Sequence, residues 1–538
     1  MSDIALKVPV GQATVKPNLD QKPHVSATLA FVLLLVCGLG YAAYGIFTDT
    51  NDVGEPLAIS ALLLLGIALM IALGFEFVNG FHDTANAVAT VIYTHSLPPL
   101  AAVIWSGLFN FLGVVVSTGA VAYGIITLLP VELIVQVGSA GGYAMIFSLL
   151  IAAIVWNLGT WAMGIPNSSS HALIGSIMGV GIANELMAPA GQATSGVDWS
   201  QAVKVGEALL FSPVVGFILS GLLLLLMKVV VPIPKLYQEP TGEKTPWWIR
   251  AILILTCTGV SFAHGGNDGQ KGMGLIMLIL IGVAPTAYAL NRTMPDSTTP
   301  AFIEATRKAQ TIFSAHAEGA PQVSPESARK RIGSALKTRE VNDPDVYAAM
   351  ASLSSEIANG VESYGSIRRV PAAATQNMRN DMYLVSDAIR LLPQAGAKFN
   401  VDETTSLKEY RAKLDASTRF IPDWVKVSVA IALGLGTMIG WKRIVITVGE
   451  RIGKQHLTYA QGASAEIVAA GTILGAEFYG LPVSTTHILS SGVAGTMAAN
   501  GSGLQWSTVR AIALAWVLTL PAAMVIAGCL YFIARHLL

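Results

Sequence analysis

One short phrase occurs twice in this chain, each time inside apolar sequence: Gly164-Ile165-Pro166-Asn167-Ser168-Ser169-Ser170-His171 and Gly480-Leu481-Pro482-Val483-Ser484-Thr485-Thr486-His487. Each copy has an acid upstream among small and amide residues. The first reads Asn79-Gly80-Phe81-His82-Asp83 and the second His264-Gly265-Gly266-Asn267-Asp268. Asp83 precedes His171 by 88 residues and Asp268 precedes His487 by 219; a polar stretch of 131 residues, 291–421, lies inside the second interval, and without it the spacing is again 88. A unit repeated at this length means two copies of one fold. When each copy is apolar and carries an acid, the expected architecture is a transporter built from internal repeats.

Composition supports a membrane body. Of 538 residues, 53% are hydrophobic and 12% charged, where a soluble protein has about a quarter charged. Residues 291–421 hold 17 of the 33 Lys and Arg and 15 of the 33 Asp and Glu, so about half of the charge sits in a quarter of the chain and the rest is an apolar body. Its apolar runs approach the ~20 residues that span a bilayer, near 27–47, 57–79, 97–118, 143–163, 170–187, 206–231, 249–263, 272–290, 422–440, 461–479, 485–499 and 508–534. Cys37, Cys257 and Cys529 all lie within such runs and show no disulfide or zinc spacing. With zero net charge and no basic block, nucleic acid is not an expected partner; the lipid bilayer is. The first 26 residues lack a signal-peptide layout, so 27–47 is taken as a retained helix.

The expected organisation is a polar tail and extra membrane helix over 1–56, a first repeat over 57–231, a linker and start of the second repeat over 232–290, the insertion 291–421, and the remainder of the second repeat over 422–538. Loop 48–56 has acids but no Lys or Arg, and loop 119–142 has no Lys or Arg; loop 228–250 carries Lys228, Lys235, Lys244 and Arg250, and loop 442–456 carries Lys442, Arg443, Arg451 and Lys454. The positive-inside rule puts the latter two in the cytoplasm, with the N-terminus. Aligning the halves gives five crossings each, an odd number, so the repeats are expected to be inverted. In that alignment 84–95 and 272–290 are tucked-in or half-spanning helices and the insertion faces outside. The fold class expected is an all-α polytopic membrane protein of two inverted repeats with broken helices and about 10–12 membrane segments. The polar insertion is expected to be mainly helical, with apolar spacing such as Met382, Leu384, Ile389, Leu391 and Leu392; an accessory or partly disordered loop is the plainer alternative.

The chemistry is expected at the repeated phrases. An ionisable group at membrane depth is costly and usually functional, which singles out Asp83 and Asp268. Their Gly and Asn neighbours are expected to break the helix and expose backbone groups toward a cavity. Pro166 and Pro482 suit a first helical turn. The hydroxyls of Ser168, Ser169, Ser170, Ser484, Thr485 and Thr486 then sit at helix N-termini, where free N–H groups and the dipole favour an oxyanion; the plainer reading is ordinary capping. His171 and His487 suit either structural hydrogen bonds or a proton relay. Lys271, in Asp268-Gly269-Gln270-Lys271, breaks the symmetry with Asp83-Thr84-Ala85-Asn86, and can replace a bound cation or meet a phosphate. Glu76, Glu466 and Glu477 are further acids in apolar sequence, Glu466 being the best placed for ion coupling. The sequence names no dedicated metal ligands.

At these residues the chain resembles the PiT family of inorganic phosphate transporters, over roughly 57–290 and 422–534. The form Phe81-His82-Asp83-Thr84-Ala85-Asn86 with the Gly269-Gln270-Lys271 ending is similar to the bacterial low-affinity Pit branch. The resemblance implies a symporter in the inner membrane, with phosphate imported by proton coupling as a neutral complex with a divalent metal such as magnesium and no resident cofactor. It implies Asp83, Asn86, Ser168, Ser169, Ser170, Asp268, Lys271, Ser484, Thr485 and Thr486 for substrate, and Asp83, His171, Asp268, Glu466 and His487 for coupling. Arsenate shares phosphate's shape and charge and is expected as a second substrate. Members coupled to sodium tend to have an acid near position 110, where this chain has Asn110; Glu466 does match a second acidic position of such members. Sodium coupling and a divalent-cation transporter remain the alternatives. An enzyme is not expected, since no Gly-x-Ser-x-Gly elbow is present. Oligomeric state is left open, a homo-oligomer included.

Overall fold

Where no water reaches the backbone, a chain must satisfy its own hydrogen bonds, and helices do so locally. The computed structural model describes residues 17–20, 23–54, 57–83, 85–135, 138–189, 196–240 and 245–537, without the side chains of residues 85, 86, 131 and 132. The binding role expected of the Asn86 side chain therefore lies outside the described residues. The apolar body begins with α1 (Val25–Asp52), α2 (Ile59–Asp83), α3 (Ala85–Tyr93), α4 (Pro99–Val116), α5 (Ala120–Ile126), α6 (Val131–Val135), α7 (Ala140–Ala162), α8 (Ser169–Leu186) and α9 (Trp199–Val230). It continues with α10 (Trp247–Val283) and α11 (Pro285–Tyr288). The insertion supplies α12 (Thr299–His316), α13 (Pro325–Thr338), α14 (Pro344–Tyr364), α15 (Ala372–Leu391) and α16 (Val401–Thr418). The body resumes with α17 (Asp423–Thr437), α18 (Lys442–Ile446), α19 (Tyr459–Phe478), α20 (Thr485–Asn500) and α21 (Trp506–Leu537).

Among the described residues, seven spans are long and apolar enough to cross a membrane: α1, α2 with α3, α4, α7, α9, α10 and α21. Their large apolar side chains face outward, as with Phe211, Val214 and Leu222 on α9 and Val517 and Val525 on α21, which suits lipid and not water. Helices α8, α17, α19 and α20 pack among them.

Three features differ from the sequence expectation. First, α10 runs unbroken for 37 residues through Gly265-Gly266-Asn267-Asp268. A helical glycine costs only about 1 kcal/mol, and here the missing side chain serves close packing: a Cβ on Gly265 would stand 2.1 Å from the Asn110 carbonyl oxygen of α4. Second, 84–95 and 272–290 are not separate tucked-in helices. The α3 helix continues the crossing begun by α2, and 272–283 is the last third of α10. Third, α8 and α20, of 18 and 16 residues and about 27 and 24 Å long, lie on runs expected to cross but are not among the spans long and apolar enough to do so. Their first turns meet a side chain inside α10 and one at the C-terminal end of α2: Ser170 meets Lys271 and Thr486 meets Asp83.

Packing partners exchange between the halves. Helix α4 lies on α10 as α17 lies on α2, α8 lies on α21 as α20 lies on α9, and α7 meets α2 as α19 meets α10. The loops without Lys or Arg and the insertion share one end of the body. There Trp424 donates to Asp49 at 2.8 Å, Tyr123 to the Phe420 carbonyl at 2.8 Å and Arg379 to the Ile134 carbonyl at 3.2 Å. The basic loops share the other end, where Lys442 pairs with Asp20, the His456 amide donates to Glu239 at 2.9 Å and Thr245 donates to the Thr94 carbonyl at 2.9 Å.

The insertion is helical and has its own core, including Phe302, Ile332, Leu353, Val385 and Tyr410. Met382, Leu384, Ile389, Leu391 and Leu392 are buried in it. It is anchored to the body through Asp198, which caps α9 and accepts from Arg339 at 2.9 Å and Arg390 at 3.0 Å. Burial alone would raise the Asp198 pKa; the Arg390 charge, the Gln201 amide and hydrogen bonds from Ser200 and Arg339 bring it down to about 2. Because the folded value lies below the ordinary carboxylate range, this contribution is present above about pH 4 and is lost as pH falls toward 2. Asp198→Ala should weaken docking by roughly 1–3 kcal/mol, the cost of leaving buried polar partners unpaired. Hydrogen exchange across 325–391 would show it as faster opening at pH 7; wild-type protection there would sink the expectation.

Candidate functional site

The two repeated phrases form the same local structure. The Ser168 hydroxyl caps α8 by accepting from the His171 amide at 3.2 Å, and the Ser484 hydroxyl caps α20 by accepting from the His487 amide at 3.1 Å. Pro166 and Pro482 lie in the chain leading to each cap, two residues ahead of it, so they do not open the helices. Serine and threonine at these caps leave the next hydroxyls, Ser170 and Thr486, at the second helical position and aimed inward.

Those two hydroxyls join the halves crosswise. Thr486 of the second copy donates to the Asp83 carboxylate of the first at 2.8 Å. Lys271 of the second copy donates to Ser170 of the first, and pairs with Asp268 at 2.8 Å. Ser170 in turn donates to the Val483 carbonyl at 2.7 Å, beside the second cap. The cluster is sealed from solvent, with Asp268 at 0%, Lys271 at 1% and Asp83 at 4% exposure.

Histidines surround the acids. The His82 Nδ1 lies 3.0 Å from Asp83, with its Nε2 3.3 Å from the Thr160 hydroxyl. The His264 Nε2 lies 3.6 Å from Asp268, and its Nδ1 2.9 Å from the Asn110 side-chain oxygen. Ligand atoms of Asp83, His264 and Asp268 all fall within 4.8 Å of one another, a grouping able to hold a metal ion and the one of its kind among the described residues. The His171 and His487 rings approach to 4.5 Å between centroids, and His487 stacks on Trp516 at 4.1 Å.

Several expected residues stand slightly apart. Ser169 accepts from Asn157 at 3.2 Å, and the buried Thr485 hydroxyl makes no hydrogen bond. Glu466 is further away. It accepts from Thr256 at 2.5 Å, and Thr256 lies fifteen residues before Lys271 on α10, about 22 Å along the helix. Glu477 accepts from Gln270 at 3.0 Å. His82, His264 and Asn110 were not among the site residues expected from the sequence. Their signal was spacing: His264 is four residues before Asp268, one helical turn, which counts only once α10 is known to be continuous.

This donor set suits two ligands at once. An ammonium, inward hydroxyls and two helix N-termini favour a tetrahedral oxyanion. Two carboxylates and an imidazole favour a divalent cation.

Comparison with known proteins follows the same line. Residues 79–527 match the phosphate transporter family. The chain is 40% identical over 495 residues to the low-affinity inorganic phosphate transporter PitB of Escherichia coli (strain K12), a match covering 88% of this chain and 97% of that one. It is 41% identical over 497 residues to PitA, of the same description and organism, again covering 88% and 97%. A solved structure described as the sodium-dependent phosphate transporter aligns at a TM-score of 0.49 with 19% identity, over 88% of this chain and 100% of that chain.

Proposed function

The chain belongs to the phosphate transporter family, and from that membership we propose a symporter that imports inorganic phosphate, driven by protons, as a neutral complex with a divalent cation such as magnesium. The observation that carries this reading is the crosswise bonding of Lys271 to Ser170 and of Asp83 to Thr486. It places anion donors and metal-capable oxygens in one sealed cluster. A bare phosphate dianion would meet Asp83 and Asp268 unfavourably, and a divalent cation travelling with it removes that conflict.

The exchange of packing partners between the halves supports inverted repeats, with α2, α4, α7, α8 and α9 matched to α10, α17, α19, α20 and α21. Rocking one set against the other around a fixed mid-depth site would open it to each side in turn. The positive-inside rule then places the basic-loop end and the N-terminus in the cytoplasm and the insertion outside, in the inner membrane of a bacterium. Ser168, Ser169, Ser484 and Thr485 shape the two helix ends. His171 and His487 face each other between them as a candidate proton path, and Glu466 stands on the basic-loop side as a separate coupling group. Arsenate, matching phosphate in geometry, enters by the same route.

Radiolabelled phosphate uptake into proteoliposomes tests this. The expected result is accumulation under an imposed proton gradient, raised by magnesium and competed by arsenate. Accumulation under a sodium gradient alone would overturn the coupling. Metal uptake that ignores phosphate would overturn the substrate.

A further inference from the structure

One buried acid is used by none of this. Glu76 on α2 is fully buried, at 0% exposure. Its Oε2 accepts from the Asn79 side chain at 3.3 Å, while its Oε1 and the Asn79 side-chain oxygen make no hydrogen bond. The carboxyl lies directly against Gly272, the residue after Lys271: a Cβ there would stand 2.4 Å from both Cγ and Oε1 of Glu76. It therefore sits beside the Lys271–Asp268 pair but outside its bonds. The matching position of the second half, seven residues before Asp268, is Ser261, whose hydroxyl is satisfied by Ser106 at 2.7 Å. The acid is present in one half only.

We propose that Glu76 is the residue that carries the co-transported proton, which binds at the unpartnered Oε1 when the site faces outward and leaves to water on the basic-loop side. The inference rests on the proton-coupled reading above. A buried carboxylate needs a counter-ion or full hydrogen bonding. A metal ion asks for about six oxygen ligands, whereas among the described residues Asn79 is the one side chain bonded to this carboxyl, so a proton is the cation that fits. The charged groups acting on it from α10 are Asp268 and Lys271, with His264 one turn earlier. On α2 itself stand His82 and Asp83. Helices α7 and α3 bring only Tyr143 and Tyr93, α8 brings His171 and Glu185, and α17 has Asp423 and Lys426 in its first turn. Lys271 is the one nearby cation and is already paired with Asp268, so a proton on Glu76 changes the charge of the cluster by one unit. That change is what couples proton and phosphate.

The test compares Glu76→Gln with wild type in proteoliposomes, by gradient-driven accumulation and by exchange of labelled for unlabelled phosphate without a gradient. Accumulation should fall by about tenfold or more while exchange stays within about twofold, since exchange needs no net proton movement. Proton-driven accumulation by Glu76→Gln at the wild-type level overturns the assignment, as does loss of exchange in a variant that remains monodisperse and folded. Should Glu76→Gln misfold, Glu76→Asp decides: the pH profile of its uptake should shift, and an unshifted profile overturns the assignment. A wild type driven by sodium and not by protons sinks the coupling reading itself, whereas a proton-driven wild type with a proton-driven Glu76→Gln sinks only the role of Glu76.

Discussion

Replacing Lys271 by methionine should reduce phosphate uptake by about a hundredfold or more and destabilise the protein by about 3–5 kcal/mol, because it strands Asp268 as a fully buried charge without its partner. The side chain is similar in volume, so packing is nearly conserved and the loss reports the charge. The hydroxyl of Ser170 loses its donor in the same step. Adding Asp268→Asn to Lys271→Met removes the stranded charge and should restore most of the stability but none of the uptake. Thermal unfolding in detergent and radiolabelled uptake separate these outcomes. Uptake by Lys271→Met at the wild-type rate would remove Lys271 from the substrate site, and a double variant no more stable than the single would mean that the pair is not the source of the loss.

Valine at Gly113 or at Gly436 should prevent stable folding, and the two should fail alike. A Cβ on Gly113 would stand 2.1 Å from the Phe262 carbonyl oxygen, and a Cβ on Gly436 would stand 2.1 Å from the Phe77 carbonyl oxygen. Both lie where one helix backbone presses on another, α4 on α10 and α17 on α2. Helices within a membrane associate by such close contact through small residues, since lipid supplies no hydrophobic drive between them. A carbonyl held in a helix cannot move aside as a side-chain tip can, so overpacking here should reach or exceed the usual ~1–3 kcal/mol. Gly159 and Gly471 have nothing within 4 Å of a Cβ; alanine there should be neutral or raise stability by up to about 1 kcal/mol. Melting temperatures of the four variants check this, and tolerance of valine at either tight position would show that the paired helices can part.

The sequence alone was enough for a membrane class, because long apolar runs with about half of the charge gathered into 291–421 admit few other folds. It also showed the repeated phrases, since the Pro-x-Ser-Ser/Thr turn recurs with the same 88-residue spacing from an acid once 291–421 is set aside. That hydroxyls stand at two helix starts was legible too, being local hydrogen bonding, although the prolines were read as opening the helices and the caps are Ser168 and Ser484. What tertiary structure alone decided is partnership. The glycines read as helix breaks, yet α10 passes through them because a neighbouring carbonyl fills the space a side chain would need. Lys271 reaches Ser170 of the other half, Asp83 reaches Thr486, and Glu466 stands with Thr256, well away from both. A sequence records which groups are present and their periodicity along one helix. Which face of that helix meets which face of another depends on how two similar halves pack crosswise, and that is fixed by contacts between residues hundreds of positions apart.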